Sequence, residues 1–191
     1  AGIPKNIYSK IKVSGIIRQI KRIKELASGI VVISNHLDQK YKALVKGEIP
    51  LHYRPVSVDI SLYPFSSWGC KVKDSVTLFY SGSFGKKDGV LNLISAFDLL
   101  AEMNPAIHLV LTGKAASQCL PPVMERIDKS PYKDRIEYKG FLDDKSYYST
   151  LNAVDIPCMT RVDIPFAHAG FPFKLGEYLA SGKPVIASNV S

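Results

Sequence analysis

From residue 76 to residue 187 the chain alternates short apolar runs with segments of helical periodicity, and this alternation most constrains its fold. Such an order of strands and helices predicts a parallel β-sheet with right-handed crossover connections. The predicted strands cover residues 76–80, 107–111, 135–138, 155–158 and 185–187. The predicted helices cover residues 88–103, 122–129, 143–152 and 172–181. We therefore expect an α/β domain with helices on both faces of a parallel sheet.

The segment 171–188 has the signals of one helix followed by one strand. Pro172 suits the first helical position, and Gly182 suits the position just past the helix end. Leu175 and Leu179 lie four residues apart, so they are predicted to form the buried stripe of this helix. The helix is therefore expected to be short and to turn one apolar side toward the sheet.

The other face of this helix is predicted to be polar and open to a ligand. It carries Lys174, Glu177, Tyr178 and Ser181 at steps of three or four residues. A helix start that presents Lys174 beside free backbone N–H groups is typical of an anion site. Proline at a helix start and glycine past its end also occur in α/β proteins with no ligand there. The run 185–187 is apolar and partly β-branched, which predicts a buried parallel strand.

Within this segment the pattern Phe-Pro-x-Lys-Leu-x-Glu-Tyr-Leu-Ala-Ser-Gly-Lys-Pro-Val-Ile-Ala resembles the donor-site segment of family 4 retaining glycosyltransferases. Those enzymes have the two-domain GT-B fold. The resemblance extends over residues 27–188 and implies the Rossmann-like, C-terminal half of a GT-B fold, truncated at both ends. It also implies that the helix N-terminus receives the donor's phosphates and that Glu177 hydrogen-bonds the nucleotide ribose.

The resemblance divides the chain into three parts. Residues 1–50 would be the end of the N-terminal, acceptor-side domain, because the sequence 27–34 resembles the segment that closes that domain. Residues 51–75, rich in Pro, Gly, Ser and aromatic residues, would be the interdomain connection, with a strand at 52–58. Residues 76–191 would be an incomplete, nucleotide-sugar-binding domain.

Near the start, residues 8–28 read as a basic amphipathic helix in which Gly15 is a weak spot. Such a helix can lie on an anionic membrane surface or form the solvated outer face of an α/β layer. A buried strand at 30–33 and a helix from 35 to 46 are predicted to follow.

Glycines follow the first three strands of the alternating region, at Gly82, Gly113 and Gly140. The carboxyl ends of parallel strands share one edge of the sheet, where open α/β sheets bind ligands, although each glycine could be only a turn residue. The resemblance implies that a lysine of the first loop, Lys86 or Lys87, faces the phosphates. Asp88 stands where the family has a basic residue.

The resemblance implies further donor contacts. Phe141 and Leu142 would hold the nucleotide base, although Phe141 could alternatively be ordinary core. Ala169 stands where many members have a glutamate near the transferred sugar. The expected donor-binding residues are Gly82, Ser83, Lys86, Lys87, Gly113, Phe141, Leu142, Ala169, Gly170, Phe171, Phe173 and Leu175, with Lys174 and Glu177 as the catalytic pair.

Composition narrows the class of protein. With 191 residues, 46% of them hydrophobic, and a mean hydropathy of +0.03, the chain is typical of globular proteins. No run of apolar residues is long enough to span a membrane, and the first residues lack a secretion signal. We expect the chain to start inside a longer protein. The net charge of +8 suits nucleic acid, an anionic membrane surface or a phosphorylated ligand.

The chain has three cysteines, Cys70, Cys119 and Cys158, and neither a Cys-x-x-Cys nor an Asp-x-Asp sequence. A metal site and a disulfide framework are therefore not expected. Reduced thiols favour a cytoplasmic protein. The basic helix at 8–28 would allow peripheral contact with the inner face of the membrane. We expect no cofactor beyond the nucleotide-sugar donor.

The resemblance implies transfer of a sugar from a nucleotide sugar to an acceptor hydroxyl with retention, in cell-surface polysaccharide or glycan biosynthesis. The glycan or lipid-linked acceptor would bind the N-terminal domain, so this chain alone is expected to be inactive. A GT-B-type nucleotide-sugar epimerase is the alternative enzyme. A basic nucleic-acid-binding module is the non-enzyme alternative, although the lysines are scattered over many elements. The sequence does not identify the nucleotide base or the sugar of the donor, the acceptor, or the oligomeric state.

Overall fold

A computed structural model describes residues 7–63 and 74–190. The chain divides into two compact units. The first takes residues up to 56 together with 168–171, and the second takes residues 57–167 and 172–190. Part of the predicted connection, residues 64–73 with Cys70, lies outside the described residues.

The first unit contains a small parallel sheet and three helices. They are α1 (Ile7–Lys21), α2 (Ile23–Leu26), β1 (Ile30–Val32), α3 (Asn35–Val45) and β2 (Leu51–Tyr53). The helix predicted over residues 8–28 is interrupted at Arg22, and Gly15 lies inside α1. The strand predicted over 52–58 is shorter, since only residues up to Tyr53 pair with β1.

The second unit alternates strands and helices as predicted. Its elements are β3 (Val76–Ser81), α4 (Val90–Met103), β4 (Ile107–Thr112), α5 (Leu120–Asp128), β5 (Ile136–Tyr138), α6 (Asp144–Ala153), β6 (Ile156–Met159), α7 (Pro165–His168), α8 (Phe173–Ala180) and β7 (Ile186–Ala187). The five strands form one parallel sheet in the order β5-β4-β3-β6-β7. The α/β prediction with a parallel sheet is confirmed.

Alternate residues of the central strands point to opposite faces of this sheet, as the two-residue period of a strand requires. On one face Leu78 packs in a cluster with residues of α4 and α5, including Phe97. On the other face Phe79 packs with Leu151 of α6 and Tyr178 of α8. Phe79 and Phe97 are both 0% exposed. Helices therefore cover both faces, and the core lies on each side of β3 and β4.

The buried face of α8 differs from the one predicted. Leu179 is 60% exposed, whereas Tyr178 is fully buried, so the assignment of Leu179 to the buried stripe and of Tyr178 to the polar face was wrong. Residues three apart share a helix face as well as residues four apart, and α8 buries Tyr178 beside Leu175. Pro172 precedes the helix rather than occupying its first turn, and Gly182 follows its end with φ +71° as expected.

The Tyr178 hydroxyl has a specific partner at the end of β3. The Ser81 backbone N–H donates a hydrogen bond to it over 2.9 Å. β3 pairs with β6 at Leu78 and Phe79. Ser81 lies two residues further along β3, beyond these pairs. Because a buried N–H without a partner is costly, this contact both satisfies β3 and fixes α8 against the sheet.

β7 pairs in parallel with β6 as predicted, but it is not buried. Ile186 is 51% exposed. β7 is the outermost strand of the sheet within the part of the chain that the structure describes, so its side chains meet solvent. The prediction of a buried strand at 185–187 was therefore wrong.

A buried lysine connects the segment after α8 with α6. Lys183 is 8% exposed, and its Nζ donates to the carbonyl oxygen of Asn152 over 3.0 Å. A cation at the carboxyl end of a helix also meets the negative end of the helix dipole. The contact joins α6 to the chain that leaves α8.

Two glycines bring the ends of β3 and β4 together. Gly113 has φ +138°, and a Cβ there would lie 1.9 Å from the carbonyl oxygen of Gly82. A side chain at Gly82 would in turn collide with the ring of Tyr80. Gly113 is therefore required by backbone conformation and by close approach, whereas Gly140, at φ +66°, has open space at its Cβ position.

We predict that Tyr178→Phe lowers the free energy of unfolding by about 1–3 kcal/mol, because the Ser81 N–H loses its partner. Leu179→Ala, on the exposed side of the same helix, should cost about 0.5 kcal/mol. Urea denaturation of both variants tests this, and a Tyr178→Phe variant as stable as the parent would contradict it.

We predict that Gly113→Ala destabilises the second unit by more than about 2 kcal/mol, because both strain and collision follow from the added methyl group. Gly140→Ala is the matched control and should cost only about 1 kcal/mol, since it meets conformational strain alone. Thermal or urea unfolding measures the difference, and equal losses would refute the close approach.

Candidate functional site

A cavity of about 390 Å³ opens at the carboxyl ends of the strands of the second unit. Three strand-end loops form one side of it, and α6 and α8 contribute the rest. The lining residues are Ser81, Gly82, Ser83, Thr112, Gly113, Lys114, Phe141, Leu142, Asp144, Tyr147, Phe173, Lys174 and Glu177. Open α/β sheets bind their ligands in this position.

The loop after β3 is closed by Asp88. Its carboxylate accepts a hydrogen bond from the Ser83 hydroxyl over 2.7 Å and one from the Gly85 N–H over 2.9 Å. The same carboxylate oxygen takes both, so it holds the two ends of the loop together. Asp88 therefore stabilises the loop, at the position where the family has a basic side chain.

The loop after β4 is joined to the loop after β5. The Thr112 hydroxyl donates to the Gly140 carbonyl over 2.6 Å, and the Gly113 N–H donates to the same oxygen over 2.9 Å. This contact places Phe141 and Leu142 at the cavity. Phe141 is 71% exposed, so the alternative that it belongs to the core is wrong.

The first turn of α8 contributes a cation and free N–H groups. Phe173 and Lys174 are its first residues, and their N–H groups have no carbonyl partner within the helix, whereas the Leu175 N–H donates to the Pro172 carbonyl oxygen over 3.0 Å. Burial lowers the pKa of Lys174, while the charges of Glu177 and Asp88 oppose that shift. A partly buried ammonium has lost some of its water and gains more than a surface lysine from an anionic ligand.

Glu177 lies one turn further along α8 and contacts α6. Its Oε2 accepts a hydrogen bond of 2.8 Å from the Tyr147 hydroxyl. Burial raises the pKa of Tyr147 far above its ordinary value, and the negative charge of Glu177 adds to that shift. Tyr147 therefore remains a neutral donor to this carboxylate.

The two lysines of the first loop lie away from the lining of the cavity. Lys86 borders a second, largely apolar cavity of about 310 Å³ beside the starts of α4 and α5. The Lys87 ammonium lies 5.5 Å from the centre of the Phe166 ring, a cation–π contact. Lys87 still acts on Lys174 through its charge, because it helps to lower the pKa of Lys174.

The remaining candidates are spread over both units. Leu175 packs against the core cluster of Phe79 and Tyr178 rather than lining the cavity. Ala169, Gly170 and Phe171 belong to the first unit, while the cavity lies within the second.

Sequence reasoning missed several lining residues. Thr112 and Lys114 flank Gly113, which the sequence did indicate. Their position next to this glycine could have predicted that they line the cavity. Tyr147 lies one turn beyond Asp143, whose side chain accepts from the Ser146 N–H and caps α6. This capping residue predicts that α6 starts after the carboxyl end of β5. It does not predict which side chain of α6 contacts α8.

Two features are absent from the part of the chain that the structure describes. No helix in residues 7–63 or 74–190 is long and apolar enough to cross a membrane. The same residues contain no group of three or more His, Cys, Asp or Glu side chains placed to hold a metal ion.

Several solved structures have a similar fold. The pneumococcal O-GlcNAc transferase GtfA, in complex with UDP and GlcNAc, matches with a TM-score of 0.71 and 18% identity over 91% of this chain and 32% of its own. Anabaena Alr3699/HepE, in complex with UDP and glucose, matches with a TM-score of 0.70 and 19% identity over 93% and 49%. Sucrose-phosphate synthase from Thermosynechococcus elongatus matches with a TM-score of 0.69 and 20% identity over 90% and 43%.

The chain thus spans less than half the length of each of these proteins. At such identities the likeness shows the fold, that of the C-terminal domains of GT-B glycosyltransferases. A search of curated proteins found no match. Residues 69–191 match the family model for glycosyl transferases group 1, and this segment includes every residue that lines the cavity. The chain therefore belongs to the glycosyl transferases of group 1.

Proposed function

We propose that the second unit binds the nucleotide-sugar donor of a retaining glycosyltransferase, which transfers the sugar to an acceptor hydroxyl. The observation that carries this proposal is the placing of Lys174 and Glu177, one turn apart on α8, in a cavity at the carboxyl ends of the strands. A cation at a helix start and a carboxylate nearby suit the two polar parts of a nucleoside diphosphate.

The diphosphate is assigned to the start of α8. The N–H groups of its first turn and the Lys174 ammonium both favour negative charge, and burial makes that attraction stronger than at an open surface. In the transfer reaction charge develops on the leaving diphosphate. Lys174 and the helix N-terminus would stabilise that charge, which is an electrostatic form of catalysis.

The nucleoside is assigned to Glu177 and to the residues after β5 that line the cavity. Glu177 would accept hydrogen bonds from ribose hydroxyls, and the exposed ring of Phe141 would cover the base with Leu142. UDP is the first nucleotide to test, because the solved structures of GtfA and HepE with this fold contain UDP. The resemblance of the Phe-Pro-x-Lys-Leu-x-Glu-Tyr segment to a donor-site segment supports a nucleotide at this place, whichever its base.

The finer parts of the proposal rest on the family resemblance. They are retention, a glycan or lipid-linked acceptor, a place in polysaccharide biosynthesis on the cytoplasmic side, and donor contacts from Lys86, Lys87, Ala169, Gly170 and Phe171. The resemblance also assigns the acceptor to the N-terminal domain rather than to the second unit. Binding of the donor, rather than turnover, is therefore the property to measure on this chain.

Calorimetric titration with UDP, GDP and ADP and with their sugars tests the proposal directly. We expect one nucleotide to bind, with its sugar competing for the same site. Absence of binding to all of them would refute the donor assignment. Preference for a single-stranded oligonucleotide at physiological salt would support the nucleic-acid alternative instead.

Substitutions of Lys174 and Glu177 should change the affinities for uridine and UDP in different ways. Glu177→Gln keeps the shape but exchanges one acceptor oxygen for a donor, so binding of uridine and of UDP should both weaken by about 1.5–3 kcal/mol. Lys174→Ala removes a point charge, so UDP should bind more weakly, most of all at low salt, while uridine is nearly unaffected.

Lys129→Ala is the matched control for the change in net charge, because Lys129 is exposed just past the end of α5 and paired with Glu125. It should leave both affinities unchanged. If Lys174 and Glu177 form only a surface pair, their substitution would cost less than about 1 kcal/mol of stability and would not change binding. Titration profiles equal to those of the parent would therefore disprove the site.

We also predict that EDTA leaves the affinity for UDP unchanged. The proposed neutralising groups are the Lys174 ammonium and the N–H groups of α8, and the sequence has no Asp-x-Asp motif. Titration of UDP with and without EDTA, and with added Mg²⁺, measures this. A lower affinity in EDTA that Mg²⁺ restores would show that donor binding requires a metal ion.

A further inference from the structure

A tyrosine hydroxyl from α6 meets the carboxylate that α8 brings to the cavity. The Tyr147 hydroxyl donates to Oε2 of Glu177 over 2.8 Å, and both residues line the cavity. The two residues are 30 apart in sequence, so the contact joins two separate helices. A hydrogen bond from a hydroxyl to a carboxylate is charge-assisted and stronger than one between neutral groups.

The Tyr147 ring is held in place by other aromatic rings. Its centroid lies 6.2 Å from that of Phe79, on the central strand, and 5.5 Å from that of Tyr148. Tyr148 in turn makes an edge contact of 5.2 Å with Tyr63. Aromatic pairs at these distances are stabilising, so the ring of Tyr147 has a defined position and its hydroxyl is aimed at Glu177.

A glutamate side chain loses much rotamer freedom when a ligand fixes it, and that loss weakens binding. In this structure Oε2 already accepts from the Tyr147 hydroxyl. Burial and then the nearby Glu177 carboxylate raise the pKa of Tyr63, so a second tyrosine lies close to the same carboxylate. Burial raises the pKa of Tyr147 further above its ordinary value, so the hydroxyl keeps its proton over the working pH range.

We propose that Tyr147 is a positioning residue, whose hydroxyl holds the Glu177 carboxylate in the orientation that receives the ribose hydroxyls of the donor. The inference rests on the proposed function, because it assigns a ribose to Glu177. It adds a residue on α6 that touches the carboxylate and acts on the ligand through it.

Tyr147→Phe removes the hydroxyl and keeps the ring. We expect it to weaken binding of uridine and of UDP by about 3- to 10-fold, the effect of one hydrogen bond. Binding of inorganic pyrophosphate should not change. Tyr132→Phe is the matched control, because it removes a hydroxyl from a partly buried ring that packs on the other core cluster and does not line the cavity, and it should leave all three affinities as in the parent.

The decisive comparison repeats Tyr147→Phe in a Glu177→Ala background, on the whole chain and with thermal unfolding of each variant. If Tyr147 acts through Glu177, the second substitution should change UDP affinity by less than about 2-fold. An equal loss in both backgrounds would mean direct contact with the ligand and would overturn the positioning role. A loss for pyrophosphate equal to that for uridine would indicate a general structural effect and would also overturn it.

The UDP affinities of Glu177→Ala and Tyr147→Phe distinguish a failure of this inference from a failure of the proposed function. If Glu177→Ala binds UDP as the parent does, the ribose assignment fails and the role of Tyr147 fails with it. If Glu177→Ala binds weakly while Tyr147→Phe binds as the parent does, only the role of Tyr147 is refuted.

Discussion

The hydrogen bond between the Ser81 N–H and the Tyr178 hydroxyl fixes the arrangement on which the site depends. It gives the backbone N–H at the end of β3 an acceptor where pairing with β6 has stopped, and the acceptor is a side chain of α8. Because Tyr178 is fully buried, α8 cannot rotate without breaking both this bond and its packing against Phe79. Lys174 and Glu177 are therefore held at the cavity by a residue that itself faces the core.

The fold was largely predictable because its determinants are local. Short apolar runs with glycines at their ends predict buried parallel strands, and all the strands and helices predicted from residue 76 onward are present with ends shifted by one or two residues. The error in α8 has a physical cause. In α8 the pattern favoured Leu179 over Tyr178, since periodicity does not show that a tyrosine can bury its ring while its hydroxyl meets a backbone N–H.

The site was predictable where its residues are adjacent to a strand end or a helix start. Gly82, Gly113 and Lys174 line the cavity for that reason. Tyr147 was missed because its role depends on a contact between α6 and α8, and no sequence spacing encodes such a contact. The place of Lys87 could not be predicted in the same way, since its contact with the Phe166 ring joins residues far apart in the sequence.

The Lys183 ammonium, bonded to the last turn of α6, has a consequence for motion in the second unit. α6 and the chain leaving α8 are joined there, and the two helices meet again where Tyr147 contacts Glu177. Two connections at separate points restrict hinge and twisting movements of one helix against the other, so the pair should fluctuate as one body on the microsecond scale. A ligand would then find the competent conformation already populated, and its association rate would be set by diffusion and charge rather than by a slow rearrangement.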